Sequence, residues 1–400
     1  MLNIYLDNSA TTKPCDAATA AMLSAMTDVY GNPSSLHFAG TKAAELLLNA
    51  RNEILVSLWG EGIRQRLPRK HGMRGGEEFG KLIFTSSGTE SDNLAIRGII
   101  SATNVKAPEI ITTDSEHPAV LKTVDNLAEK GCTVKKLTTV NGKIDTEELK
   151  NLLTKNTALI SVMHVNNETG AIYNVREIFD IAKSLSPAVV CHTDCVQSFQ
   201  KLKFTPDSLG ADLITISAHK VHGPKGVGAL WISKQLASKS KPSAIIFGGG
   251  QEDGYRSGTE NIPGIAAFAA AVKANGGAKA YVDFTDKTNA LRACLIGNLP
   301  SGVRVNTPVS EYTPHIISLT LPVKKSQPML NYLSALGIYV SSGSACSSHK
   351  NTVSHVLTAF GLSNGDADAT IRVSLDSANT EDEIAHFCDA LEKGIKKLGK

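Results

Sequence analysis

Leu213-Ile214-Thr215-Ile216-Ser217-Ala218-His219-Lys220-Val221-His222-Gly223-Pro224-Lys225-Gly226-Val227-Gly228 begins as a short apolar, β-branched run and then breaks into a hydroxyl, an imidazole and an amine. The run has the pattern of a strand buried on both faces, and the glycines and proline behind it are turn residues. An amine at the end of a buried strand is costly unless its charge is paired or used. Its useful chemistry is a Schiff base with an aldehyde, above all pyridoxal phosphate, whose phosphate Ser217 and His219 are close enough to help hold. A surface lysine at a strand end fits this stretch equally well. The rest of the chain has to decide.

Upstream, apolar runs at 82–85, 109–112, 133–137, 158–162 and 188–193 alternate with helical stretches, and 213–217 is the last of the series. That alternation predicts βαβ units and an α/β fold with a mostly parallel, doubly wound sheet. Before it come a short strand at 4–6, a polar loop at 7–14, a helix from about Asp16 with Asp16 as its N-cap, and a long amphipathic helix over 37–58. Residues 60–80 are a Gly-rich, basic interruption carrying Arg64, Arg66, Arg69, Lys70, His71 and Arg74. A chain of 400 residues exceeds one simple core, which predicts a large domain plus a smaller one.

The bulk properties exclude more than they assign. An apolar fraction of 42% with 20% charged residues is ordinary for a globular protein. A formal charge of +3 is nearly balanced, so nothing global points to nucleic acid or a membrane surface. Met1-Leu2-Asn3-Ile4-Tyr5-Leu6-Asp7 has neither the basic lead nor the apolar core of a signal peptide, and no apolar run is long enough to span a bilayer. The odd number of cysteines, 7, argues against a disulfide framework and for a reducing cytoplasm.

Polar clusters follow several of the apolar runs. Leu82-Ile83-Phe84-Thr85-Ser86-Ser87-Gly88-Thr89 is a strand entering a helix, whose free amides and Thr89 hydroxyl suit a phosphate. The same residues also make an ordinary helix cap. His117 follows 109–112 and can stack on a flat cofactor or move a proton; a loop histidine bound to backbone is the simpler reading taken singly. His164-Val165-Asn166-Asn167-Glu168 stands where ligands bind in open α/β sheets. In Cys191-His192-Thr193-Asp194-Cys195-Val196-Gln197, strand alternation puts His192 and Asp194 on one face and both cysteines on the other, which argues against a metal site. A buried Asp194 with Gln197 just beyond instead suits a pyridinium.

Eight motifs in order carry a resemblance. They are Asp7-Asn8-Ser9-Ala10-Thr11-Thr12, Ser87-Gly88-Thr89-Glu90-Ser91, Glu116-His117, His164-Val165-Asn166-Asn167-Glu168, His192-x-Asp194-x-x-Gln197, Ser217-x-His219-Lys220, Arg256-Ser257-Gly258-Thr259 and Ser342-Gly343-Ser344-Ala345-Cys346. Together they resemble the cysteine desulfurases, in particular the nitrogen-fixation and iron–sulfur-cluster housekeeping branch of the fold-type I pyridoxal-phosphate enzymes in the class V aminotransferase superfamily. The match runs from about Tyr5 to Leu391.

Carried over residue by residue, the resemblance implies that Lys220 forms the Schiff base and that Gly88, Thr89, Ser217 and His219 hold the phosphate. Thr259 would reach it from the partner subunit of a homodimer. It further implies that His117 stacks on the ring, Asp194 pairs with the pyridinium and Gln197 bonds the phenolic oxygen. Asn167 and Arg372 would handle the carboxylate of L-cysteine, for which the planar guanidinium fork is well shaped. Cys346, in a run of small residues, would be the nucleophile that takes the sulfur as a persulfide, leaves L-alanine and passes the sulfur to an acceptor protein for iron–sulfur clusters or thiolated products. A large domain at 16–261 and a small one from 1–15 and 262–400 are expected.

Three departures stand out. The insert at 60–80 is longer than the usual link, and a solvated loop is the favoured reading over a docking surface for a sulfur acceptor. Thr352-Val353-Ser354 replaces a usual Glu-Pro-Ser turn, and the last predicted helix is followed closely by Lys400 without the longer tail of the housekeeping enzymes. Two other classes of function compete. A selenocysteine lyase or class V aminotransferase would share the cofactor, and an inactive docking partner would share only the fold; intact Lys220, Asp194 and Cys346 speak against the latter.

Overall fold

The computed structural model describes residues 3–73, 75–343 and 353–399. Cys346, with Ser344, Ser347, Ser348 and Thr352, lies outside these residues. The strands in chain order are β1 Ile4–Tyr5, β2 Lys81–Thr85, β3 Glu109–Thr113, β4 Thr133–Leu137, β5 Thr157–Ser161, β6 Val190–Asp194, β7 Leu213–Ser217, β8 Gly228–Ile232, β9 Arg304–Val305, β10 Ile316–Thr320, β11 Ile338–Tyr339, β12 Ser341–Ser342 and β13 Thr370–Ser374.

Strands β2 to β8 make one sheet of seven among the described residues, ordered β2-β8-β7-β6-β5-β3-β4. All run the same way except β8, which is antiparallel to both neighbours. The sheet is apolar on both faces because successive strand residues alternate sides. Leu82 and Phe84, Ile111, Ile160 and Ile214 join one core, while Ile83, Ile110, Leu159 and Leu213 join the other. This is the doubly wound α/β arrangement, and it leaves the carboxyl ends of the parallel strands along one edge of the sheet.

Strand β8 was not expected from the sequence. Gly228-Ala229-Leu230-Trp231-Ile232 is short and follows a glycine-rich turn, so nothing local marks it as the return leg of a hairpin with β7. Its first residue has to be glycine: a Cβ on Gly228 would lie 2.6 Å from the Ser87 carbonyl carbon. The close approach holds the start of the helix Gly88–Ala102 against the end of β7.

A second sheet, ordered β12-β13-β10-β9, is antiparallel and builds its own core with Phe387 and Leu391 from the helix Glu381–Leu398. The loop after β1 joins the two sheets. On one side Thr12 N–H donates to the His219 carbonyl at 2.9 Å; on the other Ser9 N–H donates to Ser374 Oγ at 2.9 Å.

Three local expectations need correction. The helix Asp16–Thr27 is preceded by Cys15 as its cap position, so Asp16 is its first helical residue. The long helix is Phe38–Trp59, with the His37 side chain accepting from Gly40 N–H. The 60–80 insert is more than a solvated loop, because Ile63, Leu67 and Phe79 are buried in the main core. The indole N–H groups of Trp59 and Trp231 both donate to the Phe79 carbonyl, at 3.1 and 2.7 Å, and pin the insert to the sheet. Its charge is partly spent locally: Arg64 pairs with Glu53 and Glu61, and Arg66 with Glu78.

Candidate active site

Strand ends deliver the functional side chains to one cavity of about 280 Å³. β2 leads into Gly88 and Thr89, β3 into His117, β5 into Asn167, β6 ends at Asp194 with Gln197 beyond, and β7 ends at Ser217 before Lys220. Gly88, Thr89, His117, Asn167, Asp194, Gln197, Ser217, His219, Lys220 and Arg372 all line it. Thr259 is exposed and is not among the lining residues, so a single chain does not bring it to the cavity.

Lys220 sits in a short turn directly after β7 and donates to the carbonyls of Ser9 and Ala10 at 2.5 and 2.7 Å. Burial, helped by the nearby Arg372 and Lys201 cations, lowers its pKa to about 7. A lysine that is neutral near physiological pH is what imine chemistry requires.

His117 Nδ1 accepts from Ala119 N–H at 3.1 Å and caps the helix Pro118–Ala128, which leaves the proton on Nε2. Burial and the Lys220 charge lower its pKa to about 4, so the ring is neutral and free to stack. The backbone-bound and stacking readings of the sequence are therefore compatible.

The start of the helix Gly88–Ala102 resolves a similar ambiguity. Ser87 caps it by accepting from Glu90 N–H, while the Gly88 and Thr89 amides, the first two of the helix, have no partner within it. Those amides, with the Thr89 hydroxyl, could hold an anion. Ser217 is almost fully buried and its Oγ has no partner among the described residues. His219 donates or accepts at Nδ1 with Thr11 Oγ1 at 3.2 Å, and burial lowers its pKa to about 3.

Asp194 accepts from Val196 N–H at 2.8 Å through Oδ1. Burial raises its pKa to about 6, the Val196 bond and the Lys220 charge acting against the rise. Gln197 donates through Nε2 to the Ser9 carbonyl at 3.0 Å, and its Oε1 is buried without a partner. His192, one turn of the pleat below Asp194, is held by Ser161 and Thr215 and does not reach the cavity.

Arg372 comes from β13 of the second sheet and is 2% exposed. Its Nη2 donates to Asp7 Oδ1 at 2.9 Å; its Nη1 donates to the carbonyls of Asn167 at 2.8 Å and Gly343 at 3.4 Å. Nε has no partner.

Sequence reasoning missed Asp92, which also lines the cavity. Burial, then repulsion from Asp194, raises its pKa well above the ordinary value. Two carboxylates in one dry site cannot both ionise, so Asp92 holds the proton and Asp194 the charge. Its position in the first turns of a helix that follows a phosphate-type loop was the available signal.

Pyridoxal phosphate fits this donor set. Ser9 Oγ, Asp92 Oδ1, Asn167 Oδ1, Gln197 Oε1, Ser217 Oγ and Arg372 Nε are six of the twelve buried side-chain polar atoms without a partner among the described residues, and all six belong to residues that line the cavity. Buried polar groups are normally satisfied, so this concentration marks a place built for a polar ligand.

Comparison with known proteins agrees. Residues 72–387 match the family described as aminotransferase class-V. A cysteine desulfurase of Trichormus azollae is 36% identical over 399 residues, covering 99% of this chain and 93% of the relative. The cysteine desulfurase IscS of Dictyoglomus turgidum is 36% identical over 402 residues, covering 99% of this chain and 95% of the relative. Among solved structures, a NifS-like protein superposes with a TM-score of 0.87 at 33% identity, over 99% of this chain and all of that one. A structure described as SspA in complex with cysteine has a TM-score of 0.77 at 30% identity, over 94% of this chain and all of that one. The chain therefore belongs to the class V aminotransferase family of pyridoxal-phosphate enzymes and, within it, to the cysteine desulfurases.

Proposed function

We propose that this protein converts L-cysteine to L-alanine and leaves the sulfur as a persulfide on Cys346. The observation that carries the reading is the place of Arg372. It lines the Lys220 cavity and its Nη1 reaches the Gly343 carbonyl, three residues before Cys346 in the chain. Arg372 thus links the Lys220 cavity to Gly343, from which the chain continues toward Cys346.

Pyridoxal phosphate, when bound, supplies the electron sink that lets the substrate α-carbon lose its proton. Gly88, Thr89, Ser217 and His219 hold its phosphate, Asp194 is the carboxylate for its ring nitrogen, and Gln197 retains a second amide N–H for its phenolic oxygen. Arg372 and Asn167 orient the substrate carboxylate. Lys220, neutral above about pH 7, takes and returns the α-proton. His117 keeps its Nε2 proton available for transfer at the substrate. The Cys346 thiol accepts sulfur: cysteine and Cys346–SH become alanine and Cys346–S–SH, with no outside oxidant. Two equivalents of an added thiol then restore Cys346–SH, release sulfide and form a disulfide.

On this reading residues 16–261 hold the cofactor, and residues 1–15 with 262–400 carry Cys346. A homodimer and a protein sulfur acceptor belong to the same proposal. Phe247 is 84% exposed and Leu36 fully so; such apolar surface suits a subunit interface, and Phe247 lies in the stretch leading to Thr259. All cysteines among the described residues are free thiols, which suits the reducing cytoplasm.

Alanine and sulfide release from L-cysteine, with and without dithiothreitol, tests the reading, together with mass spectrometry of the persulfide. Wild type is expected to yield one alanine per cysteine and one added sulfur on the peptide containing Cys346. A Cys346→Ser variant is expected to bind cysteine and exchange its α-proton but release no alanine. Alanine only from selenocysteine would replace the reading with a selenocysteine lyase; no alanine from either would leave an inactive docking protein.

A further inference from the structure

Glu168 is 1% exposed and plays no part in the chemistry described above. Its backbone N–H donates to Asn166 Oδ1, which turns the chain after β5 and aims the carboxylate away from the Lys220 cavity, whose lining does not include it. What the carboxylate meets instead are Gly343, the last described residue before 344–352, and Ser354, the second one after it. Ser354 Oγ donates to Glu168 Oε2 at 2.5 Å. The same Oε2 lies 2.6 Å from where a Cβ on Gly343 would stand.

Both residues are tied down further. The Ser354 hydroxyl also accepts from Leu357 N–H and so caps the helix His355–Ala359, while Gly343 offers its carbonyl to Arg372. The Arg372 guanidinium donates in turn to the carbonyl of Asn167, the residue before Glu168. One buried carboxylate is therefore wedged between the entry and the exit of the segment that contains Cys346. Burial raises its pKa, against the Ser354 hydrogen bond and the Arg372 charge.

We propose that Glu168 is a positioning residue for sulfur transfer: by binding Ser354 and packing on Gly343 it fixes the two ends from which Cys346 must reach the substrate. The proposal rests on the desulfurase reading and adds a residue that touches neither cofactor nor substrate. It separates two stages of the reaction. Substrate binding and α-proton loss use Arg372, Lys220 and Asp194 and do not depend on where the thiol is held. Persulfide formation does.

Three variants test it: Glu168→Ala, Glu168→Gln and Gly343→Ala, the last also combined with Glu168→Ala, all as pyridoxal-phosphate holoenzymes. Cysteine binding is read from the cofactor spectrum, α-proton exchange by NMR in D₂O, and persulfide formation by single-turnover mass spectrometry. Glu168→Ala is expected to slow persulfide formation about tenfold or more, the loss of one charge-assisted hydrogen bond, with binding and exchange within about twofold of wild type. Glu168→Gln keeps an oxygen for Ser354 and is expected to recover most of the rate. Gly343→Ala is expected to slow transfer in the wild-type background but add little in Glu168→Ala, because the Glu168 oxygen at 2.6 Å is gone and only the end of the Leu357 side chain, at 3.2 Å, has to give.

Equal loss of exchange and transfer in Glu168→Ala, an unchanged transfer rate, or full additivity with Gly343→Ala would each overturn the proposal. An active wild type alongside any of these outcomes would leave the desulfurase reading standing. A wild type that releases no alanine from cysteine would sink both.

Discussion

The Arg372 guanidinium and the Asp7 carboxylate, 365 residues apart in sequence, form a 2.9 Å ion pair in which the arginine side chain is 2% exposed and the aspartate 18%. The pair neutralises a cation that the second sheet drives into the cavity, and it holds the N-terminal loop beside Lys220. On the proposed reading the substrate carboxylate meets an arginine with three of its five N–H groups engaged, and binds through Nε and the second Nη2 N–H. Replacing Arg372 with Lys removes the fork and keeps the charge. The KM for L-cysteine should then rise about 10- to 100-fold, the worth of a charge-assisted bond, with pyridoxal phosphate content unchanged. Asp7→Ala should cost about 3 kcal/mol in denaturant unfolding, because it strands a buried charge. An unaltered KM in the first variant would remove Arg372 from substrate binding.

Lys220 sets a pH dependence whose sign follows from its environment. Its folded-state pKa, about 7, lies below the ordinary lysine value, so the amine is protonated below that pH and neutral above it. Capture of pyridoxal phosphate by the apoprotein should therefore speed up through pH 7 and level off soon after, rather than climb toward the range of free lysine. Stopped-flow absorbance would follow it. Lys201 contributes: it is 4% exposed, its Nζ has no hydrogen-bond partner among the described residues, and its positive charge opposes protonation of Lys220. Lys201→Met should move the midpoint upward. A midpoint near that of free lysine in the wild type would contradict the assigned environment.

The carboxylates Asp92 and Asp194 share a site but not a role, since burial and mutual repulsion leave the proton on Asp92. Asp194→Asn should slow α-proton exchange by orders of magnitude, because an uncharged partner no longer favours the protonated ring. Asp92→Asn replaces one neutral group with another and should leave exchange nearly intact. Measuring both in D₂O separates them, and equal losses would show that the charge is not confined to Asp194.

Most of the cavity was legible because the chemistry follows strand ends. An apolar run that breaks into Ser-Ala-His-Lys, or ends His-Thr-Asp, announces both the element and the reason for its last residues. Relationships that depend on tertiary contact were not legible. Nothing local pairs Asp7 with Arg372, buries Asp92 against Asp194, or sets Glu168 between Gly343 and Ser354. The return strand β8 was lost among turn glycines, and the insert at 60–80 read as solvated because its anchors, Ile63, Leu67 and Phe79, are sparse among charges. The likeness of eight ordered motifs to one family supplied the cysteine, which no packing argument could single out.

Thr259 offers the sharpest test of assembly, since it is exposed and absent from the lining of its own chain's cavity. If it serves the neighbouring subunit, damage at Thr259 and damage at Lys220 should sort into the same site of a mixed dimer. Thr259→Asp sets a carboxylate against the cofactor phosphate and should weaken cofactor binding at the site that it serves. Lys220→Ala abolishes the covalent link at its own site. A hybrid of one Thr259→Asp subunit and one Lys220→Ala subunit would then contain one doubly damaged site and one intact site. Purified through two different affinity tags, it should bind one tightly held pyridoxal phosphate per dimer, trapped by borohydride, and show about half the wild-type activity. If Thr259 acted within its own chain, each site would carry one lesion and the hybrid would have no site of wild-type affinity. A monomer that is fully active at assay dilution would refute the shared site directly.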